Sequence, residues 1–117
     1  MDDCLFCKII KGQIPSEKVY EDEEILAFKD INPAARIHVL IIPKRHIDGV
    51  DRLEPEHAEL ISKMLLTIRK IAEDLNLSNG WRVVTNVLGD GGQTVRHLHF
   101  HLLGGCLLGD FGSKKPL

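Results

Sequence analysis

Residues 97–103 read His97-Leu98-His99-Phe100-His101-Leu102-Leu103, a strict alternation of imidazole and apolar side chains that closes on Gly104-Gly105. Such a period of two predicts a β-strand, here from Val95 to Leu103, with Leu98, Phe100 and Leu102 turned to the core. The three histidines then share the other face, about 6.6 Å between neighbours. Working outward, Gly89 to Gln93 is a glycine-rich loop and Trp81 to Val87 a further strand. Upstream, Pro55 has the character of a first-turn helical proline. Leu60, Ile61, Met64, Leu65, Ile68, Ala72 and Leu75 then recur at three- and four-residue spacing, giving one long amphipathic helix that runs toward Asn79-Gly80. Ile37 to Ile42 is almost wholly apolar and β-branched, as expected of a central strand covered on both faces. Val19 to Tyr20 and Ile25 to Phe28 flank the acidic turn Glu21 to Glu24 as two more strands, and Asn32-Pro33 ends the second. Cys4 to Ile10, stopped by Lys11-Gly12, predicts one short helix. Five strands with one long and one short helix point to an α+β fold with a mostly antiparallel sheet.

The 117 residues suffice for one core and predict a single domain over 1–117, with 107–117 an irregular tail. A chain that is 44% hydrophobic and 27% charged, with a net charge of -2, reads as soluble and globular. That charge gives no reason to expect nucleic acid as a partner. No apolar run reaches membrane length and Met1-Asp2-Asp3 lacks the character of a signal peptide, so a cytoplasmic location without a membrane partner is expected.

Half of the six histidines fall within five residues. Histidine titrates near neutrality and serves as base, nucleophile or metal ligand, so this face is a chemical surface more than a solvated strand. Just before it, Gly89-Asp90-Gly91-Gly92-Gln93-Thr94 has the glycines that let backbone amides converge on an anion, with the Thr94 hydroxyl beside them. Together these features fit phosphoryl or nucleotidyl transfer. One catalytic zinc held by His97, His99 and His101 is disfavoured, because the i and i+4 residues of a strand stand about 13 Å apart. Cys4-x-x-Cys7 has the spacing of a metal knuckle; a redox pair and two incidental cysteines are its rivals. Cys106 reads as a small isolated hydrophobe, His38 as a hydrogen-bonded core residue and His57 as solvated on the helix, and for Asp30 before Asn32-Pro33 a plain turn former is the rival reading.

The run His97-x-His99-x-His101-x-x, with x hydrophobic, resembles the signature of the histidine triad (HIT) superfamily. Cys4-Leu5-Phe6-Cys7-Lys8-Ile9-Ile10 with Ile14-Pro15, Phe28-Lys29-Asp30-Ile31, Pro43-Lys44-Arg45-His46 and Gly91-Gly92-Gln93-Thr94-Val95 are similar to its Hint branch, the purine nucleoside phosphoramidases. The resemblance implies the HIT-like fold and a hydrolase that passes through a covalent nucleotidyl-histidine. His99 would be the nucleophile on the α-phosphorus, and His101 would bind phosphate oxygens and assist proton transfer. Thr94, Asn86 and the Gly92-Gln93 stretch would line the phosphate side. Asp30 would accept from the ribose hydroxyls, and Phe6, Ile9, Ile14, Phe28 and Ile31 would wall the purine base. Cys4, Cys7, His46 and His97 would hold a structural zinc, the pattern of the bacterial members, and the chain would form a homodimer by joining sheets edge to edge. A dinucleoside polyphosphate hydrolase and a nucleotide-binding regulatory module with little turnover are the alternatives. The intact third histidine favours an enzyme, since the superfamily's nucleotidyltransferases carry glutamine there. The tail from Leu107 to Leu117 lacks the tryptophan-containing form found in eukaryotic members, which leaves the leaving group open.

Overall fold

A computed structural model describes residues 3–110; residues 111–117 of the expected tail lie outside the described residues, and 107–110 have no regular structure. The elements are α1 (Leu5–Ile10), β1 (Lys18–Glu21), β2 (Ile25–Lys29), β3 (Ile37–Pro43), α2 (Ala58–Asp74), β4 (Trp81–Val84) and β5 (Phe100–Gly104). The five strands form one antiparallel sheet in the order β1-β2-β3-β5-β4, so the apolar strand β3 is central as its composition demands.

Both faces of the sheet are covered, and the alternation of side chains decides which residue serves which face. Ile25, Ala27, Val39, Ile41, Phe100 and Leu102 pack against Met64, Ile68, Ile71 and Ala72 of α2. Leu26, Phe28, Leu40 and Ile42 point the other way, onto Phe6 and Ile9 of α1. Each fully buried aliphatic side chain here contributes about 2 kcal/mol of transfer free energy. His101 pairs with Leu40 on one side and Val84 on the other, so it joins the α1 face.

Three expectations change. The long helix stops at Asp74, because Asn76 takes a left-handed backbone (φ 60°) and the amide of Leu77 turns back to the carbonyl of Ala72. Leu65, assigned to the buried stripe, is 47% exposed. His57 is buried rather than solvated: it closes a short 3-10 turn (Pro55–His57) before α2, its Nδ1 accepting the Glu54 amide at 2.9 Å. Among the described residues no helix is long and apolar enough to cross a membrane.

Candidate active site

The histidine run is not a continuous strand. β5 begins at Phe100, and β4 ends at Val84 instead of Val87. The backbone donors upstream are spent elsewhere: Leu98 N–H on the Ile47 carbonyl at 2.6 Å and His97 N–H on the Val95 carbonyl at 2.8 Å. On β4's side the Thr85 hydroxyl, not an amide, reaches the His99 carbonyl at 2.8 Å. The three imidazoles therefore have unlike surroundings.

His99 is buried, with its ring edge-on to Phe6 (centroids 5.0 Å apart) and 5.0 Å from the ring of His101. Its Nδ1 lies 2.7 Å from the His97 carbonyl, which can only accept, so Nδ1 carries the proton and Nε2 keeps a lone pair. Burial pushes its pKa below the ordinary histidine value, against the opposing pull of that carbonyl and of Asp30. At neutral pH the ring is uncharged and nucleophilic at Nε2.

His101 is tied to His38, a residue of the central strand β3. The amide of Ala34 donates to His38 Nδ1 at 3.0 Å, which puts His38's proton on Nε2. That N–H stands 2.9 Å from His101 Nδ1 and 3.5 Å from an Asp30 carboxylate oxygen. With Nδ1 accepting, His101 carries its own proton on Nε2. Burial, with His99 and His38 as neighbours, pushes its pKa down to about 4. The signal for His38 was present in the sequence: a titratable side chain inside an otherwise apolar central strand must have a polar partner.

The loop after β4 is built around its glycines. A Cβ on Gly91 would fall 2.2 Å from the Val87 carbonyl oxygen, so only glycine fits, and Asn86 Nδ2 donates to the Gly91 carbonyl at 2.7 Å. The amides of Gly92 and Gln93 turn inward to the carbonyls of Gly89 and Leu88. The Gln93 carboxamide is used up by the protein: it donates to the Asp48 and Val95 carbonyls and accepts from Leu88 N–H and Arg96. Gln93 thus fixes the loop's shape, while Thr94 is exposed on a cleft of about 610 Å³. Phe6, Ile9 and Phe28 are buried in the α1-side core and Ile14 packs on it; Ile31 is 91% exposed beside Asp30. Asp30 also makes the expected turn, its carboxylate accepting the Asn32 amide at 2.8 Å.

Cys4, Cys7, His46 and His97 bring their donor atoms within 4.8 Å of one another. His97 gives its Nε2–H to the Pro43 carbonyl and His46 its Nε2–H to Asp48, both at 2.8 Å. Each imidazole is left with an Nδ1 lone pair, and those lone pairs meet the sulfurs: Cys4 to His97 and Cys7 to His46 at 3.3 Å, Cys7 to His97 at 3.6 Å. Two thiols and two oriented Nδ1 donors with hydrogen-bonded outer nitrogens fit a tetrahedral zinc. Asp30, His38 and His101 also cluster within 4.8 Å. They do not fit a metal in the same way, since the Ala34 amide holds His38 in the tautomer whose Nε2 bears hydrogen.

Residues 3–115 match the family model described as the C-terminal binding region of the scavenger mRNA decapping enzyme. The chain is 48% identical over 104 residues to protein HitA of Neisseria gonorrhoeae, covering 89% of this chain and 97% of that one. Among solved structures it is similar to a HIT family hydrolase from Clostridium thermocellum, with 48% identity, a TM-score of 0.91, and 95% and 97% of the two chains covered. The chain belongs to the HIT family. It is also similar to a histidine triad nucleotide-binding protein from Candida albicans, at 34% identity and a TM-score of 0.78 over 97% of this chain and 87% of that one.

In this HIT chain the three histidines of the signature have three different partners: His97 the cysteines, His99 the His97 carbonyl and Phe6, His101 the pair His38 and Asp30. Cys106 takes no part in these contacts; just past Gly105, whose φ of 79° turns the chain, it is exposed.

Proposed function

We propose that this chain hydrolyses a purine nucleoside 5′-phosphoramidate, or a related nucleotide conjugate, through a nucleotidyl adduct on His99. The observation that carries this is the 2.7 Å bond from His99 Nδ1 to the His97 carbonyl, which leaves Nε2 unprotonated in a buried, uncharged ring. His99 Nε2 bonds to the α-phosphorus as the P–N bond breaks; His101 Nε2–H donates a hydrogen bond to a phosphoryl oxygen, and the leaving nitrogen takes the electron pair and a proton from solvent. Water then attacks the same phosphorus, frees His99 and releases its proton to solvent. Thr94 and Asn86, with the loop through Gly92 and Gln93, border the phosphate. Asp30 keeps acceptor capacity for the ribose hydroxyls, and Phe6, Ile9, Ile14, Phe28 and the exposed Ile31 flank the base.

Cys4, Cys7, His46 and His97 would hold zinc, which would pin α1 to the segment carrying His97; the nucleotide chemistry uses none of the ion's Lewis acidity. β4 is an edge strand of the sheet, which supports a homodimer formed by pairing with a second copy. A cytoplasmic setting suits free thiols in a metal cluster.

Rapid mixing with adenosine 5′-phosphoramidate, acid-free quenching and intact-mass analysis tests this reading. A transient mass increase of one adenylyl group is expected, absent in His99→Ala. Amine release without any adduct, undiminished in His99→Ala, overturns it.

A further inference from the structure

The metal cluster is wired to the nucleophile through a single residue. His97 meets both sulfurs with Nδ1 and anchors to Pro43 with Nε2, while its backbone carbonyl holds the Nδ1–H of His99. Phe6 supplies a second link. It lies between the cysteines in Cys4-Leu5-Phe6-Cys7, and its ring stands edge-on to His97 at 5.8 Å and to His99 at 5.0 Å. Cys4 caps α1 with its sulfur, which accepts the Cys7 amide at 3.4 Å, and it lines the 610 Å³ cleft with Thr94 and Arg96. Cys7 is buried below it. Cys4, half-buried, therefore borders an entry path, and the buried Cys7 sulfur lies within 4.8 Å of the Cys4 sulfur.

We infer that Cys4 and Cys7 form an oxidisable dithiol whose closure to a disulfide expels the cluster's metal and disorders the His99 site. The oxidant is a peroxide. The Cys4 sulfur attacks a peroxide oxygen, the O–O bond breaks, and Cys4 becomes a sulfenic acid as the first water leaves. The Cys7 sulfur then attacks the Cys4 sulfur and displaces the hydroxyl as a second water, so two thiols and one hydrogen peroxide give one disulfide and two waters. A disulfide requires the sulfurs to close to about 2.05 Å. That contraction takes two of four donors from the cluster and draws the first turn of α1, with Phe6, off the two imidazoles.

The consequence for His99 rests on the proposed function; the consequence for the thiols and the metal does not. The test uses the full chain carrying Cys106→Ser, loaded with zinc and treated with a small excess of hydrogen peroxide. Intact mass reports the loss of two hydrogens, a chromogenic chelator reports released zinc, and nitrogen-15 NMR of the imidazoles reports whether His99 keeps its Nδ1–H tautomer. Disulfide and free zinc are expected in a one-to-one ratio. The His99 tautomer signal should broaden or change, and adduct formation should slow about tenfold, all restored by dithiothreitol and zinc. Thiols that survive, zinc that stays bound, or a disulfide form with an unchanged His99 signal overturns the inference. If untreated protein forms no adduct, the proposed function fails while the thiol, zinc and NMR readouts still decide this one.

Discussion

Replacing His38 with phenylalanine tests whether the histidine behind His101 sets its chemistry or merely fills β3. The substitution removes two hydrogen bonds, from the Ala34 amide at 3.0 Å and to His101 Nδ1 at 2.9 Å. At about 1 kcal/mol each, the expected loss of stability is about 2 kcal/mol, or about 8 °C in Tm for a chain of this size. The second bond also keeps His101's proton on Nε2, the nitrogen proposed to face the phosphate. Its loss, about 1.4 kcal/mol of orientation, lowers kcat for adenosine phosphoramidate about tenfold. His38→Gln retains an acceptor for Ala34 and a donor for His101, so it should recover most of kcat. Thermal melts and single-turnover adduct formation measure the two effects separately. If His38→Phe loses stability but keeps wild-type adduct formation, or if His38→Gln is as slow as His38→Phe, the tautomer reasoning is wrong.

Acid should unfold the protein early. His101 titrates at about 4 in the fold against an ordinary 6.5, so between those values the unfolded chain binds a proton that the folded chain refuses. This contribution is fully present above pH 6.5 and is lost as pH falls to 4, by about 3 kcal/mol. Urea melts across that window should show a shallower pH slope in His101→Gln; equal slopes would count against the assignment. Gly91→Ala places a Cβ 2.2 Å from the Val87 carbonyl oxygen and 2.8 Å from the Val87 nitrogen. Relieving that overlap should cost about 2 kcal/mol and weaken AMP binding. A variant with wild-type melting and affinity would show that the loop yields. Protein purified without added metal should carry one zinc per chain, and Cys7→Ser should lose it with a fall in Tm; metal analysis reporting much less zinc in the wild-type chain refutes the cluster's role.

The sequence carried the fold wherever one period governed a whole element. The apolar, β-branched run of β3 pointed to a central strand, and the stripe through Met64, Ile68 and Ala72 to a helix packed on a sheet. The ends of elements were less legible, because distant or local hydrogen bonds decide them: the Leu98 amide goes to Ile47, far back along the chain, and the left-handed Asn76 halts α2 before the sequence pattern does. That His38 is a hydrogen-bonded core residue is legible in the sequence; that its partner is His101 depends on the pairing of β3 with β5, and no local pattern records that pairing. Cys-x-x-Cys was legible as spacing, but the orientation of the imidazoles opposite it came only with the Pro43 and Asp48 acceptors.

The broken strand is what lets three similar residues do different things. In an unbroken antiparallel ladder the carbonyl of His97 would be directed at the strand on one side and the amide of Leu98, opposite it on the same trans peptide, at the strand on the other. Diverting that amide to Ile47 and starting β5 only at Phe100 leaves the His97 carbonyl for His99 Nδ1 and lets the His97 ring turn to the cysteines. His101, inside the regular strand, gets its partner the ordinary way, from the adjacent β3. The alternating pattern therefore assigns all three imidazoles to one side of the sheet, and the interruption assigns their protons: Nε2 of His97 to Pro43, Nδ1 of His99 to His97. A substitution that restored ladder pairing at residues 97–99 would keep every histidine and still return a lone pair to the wrong nitrogen of His99.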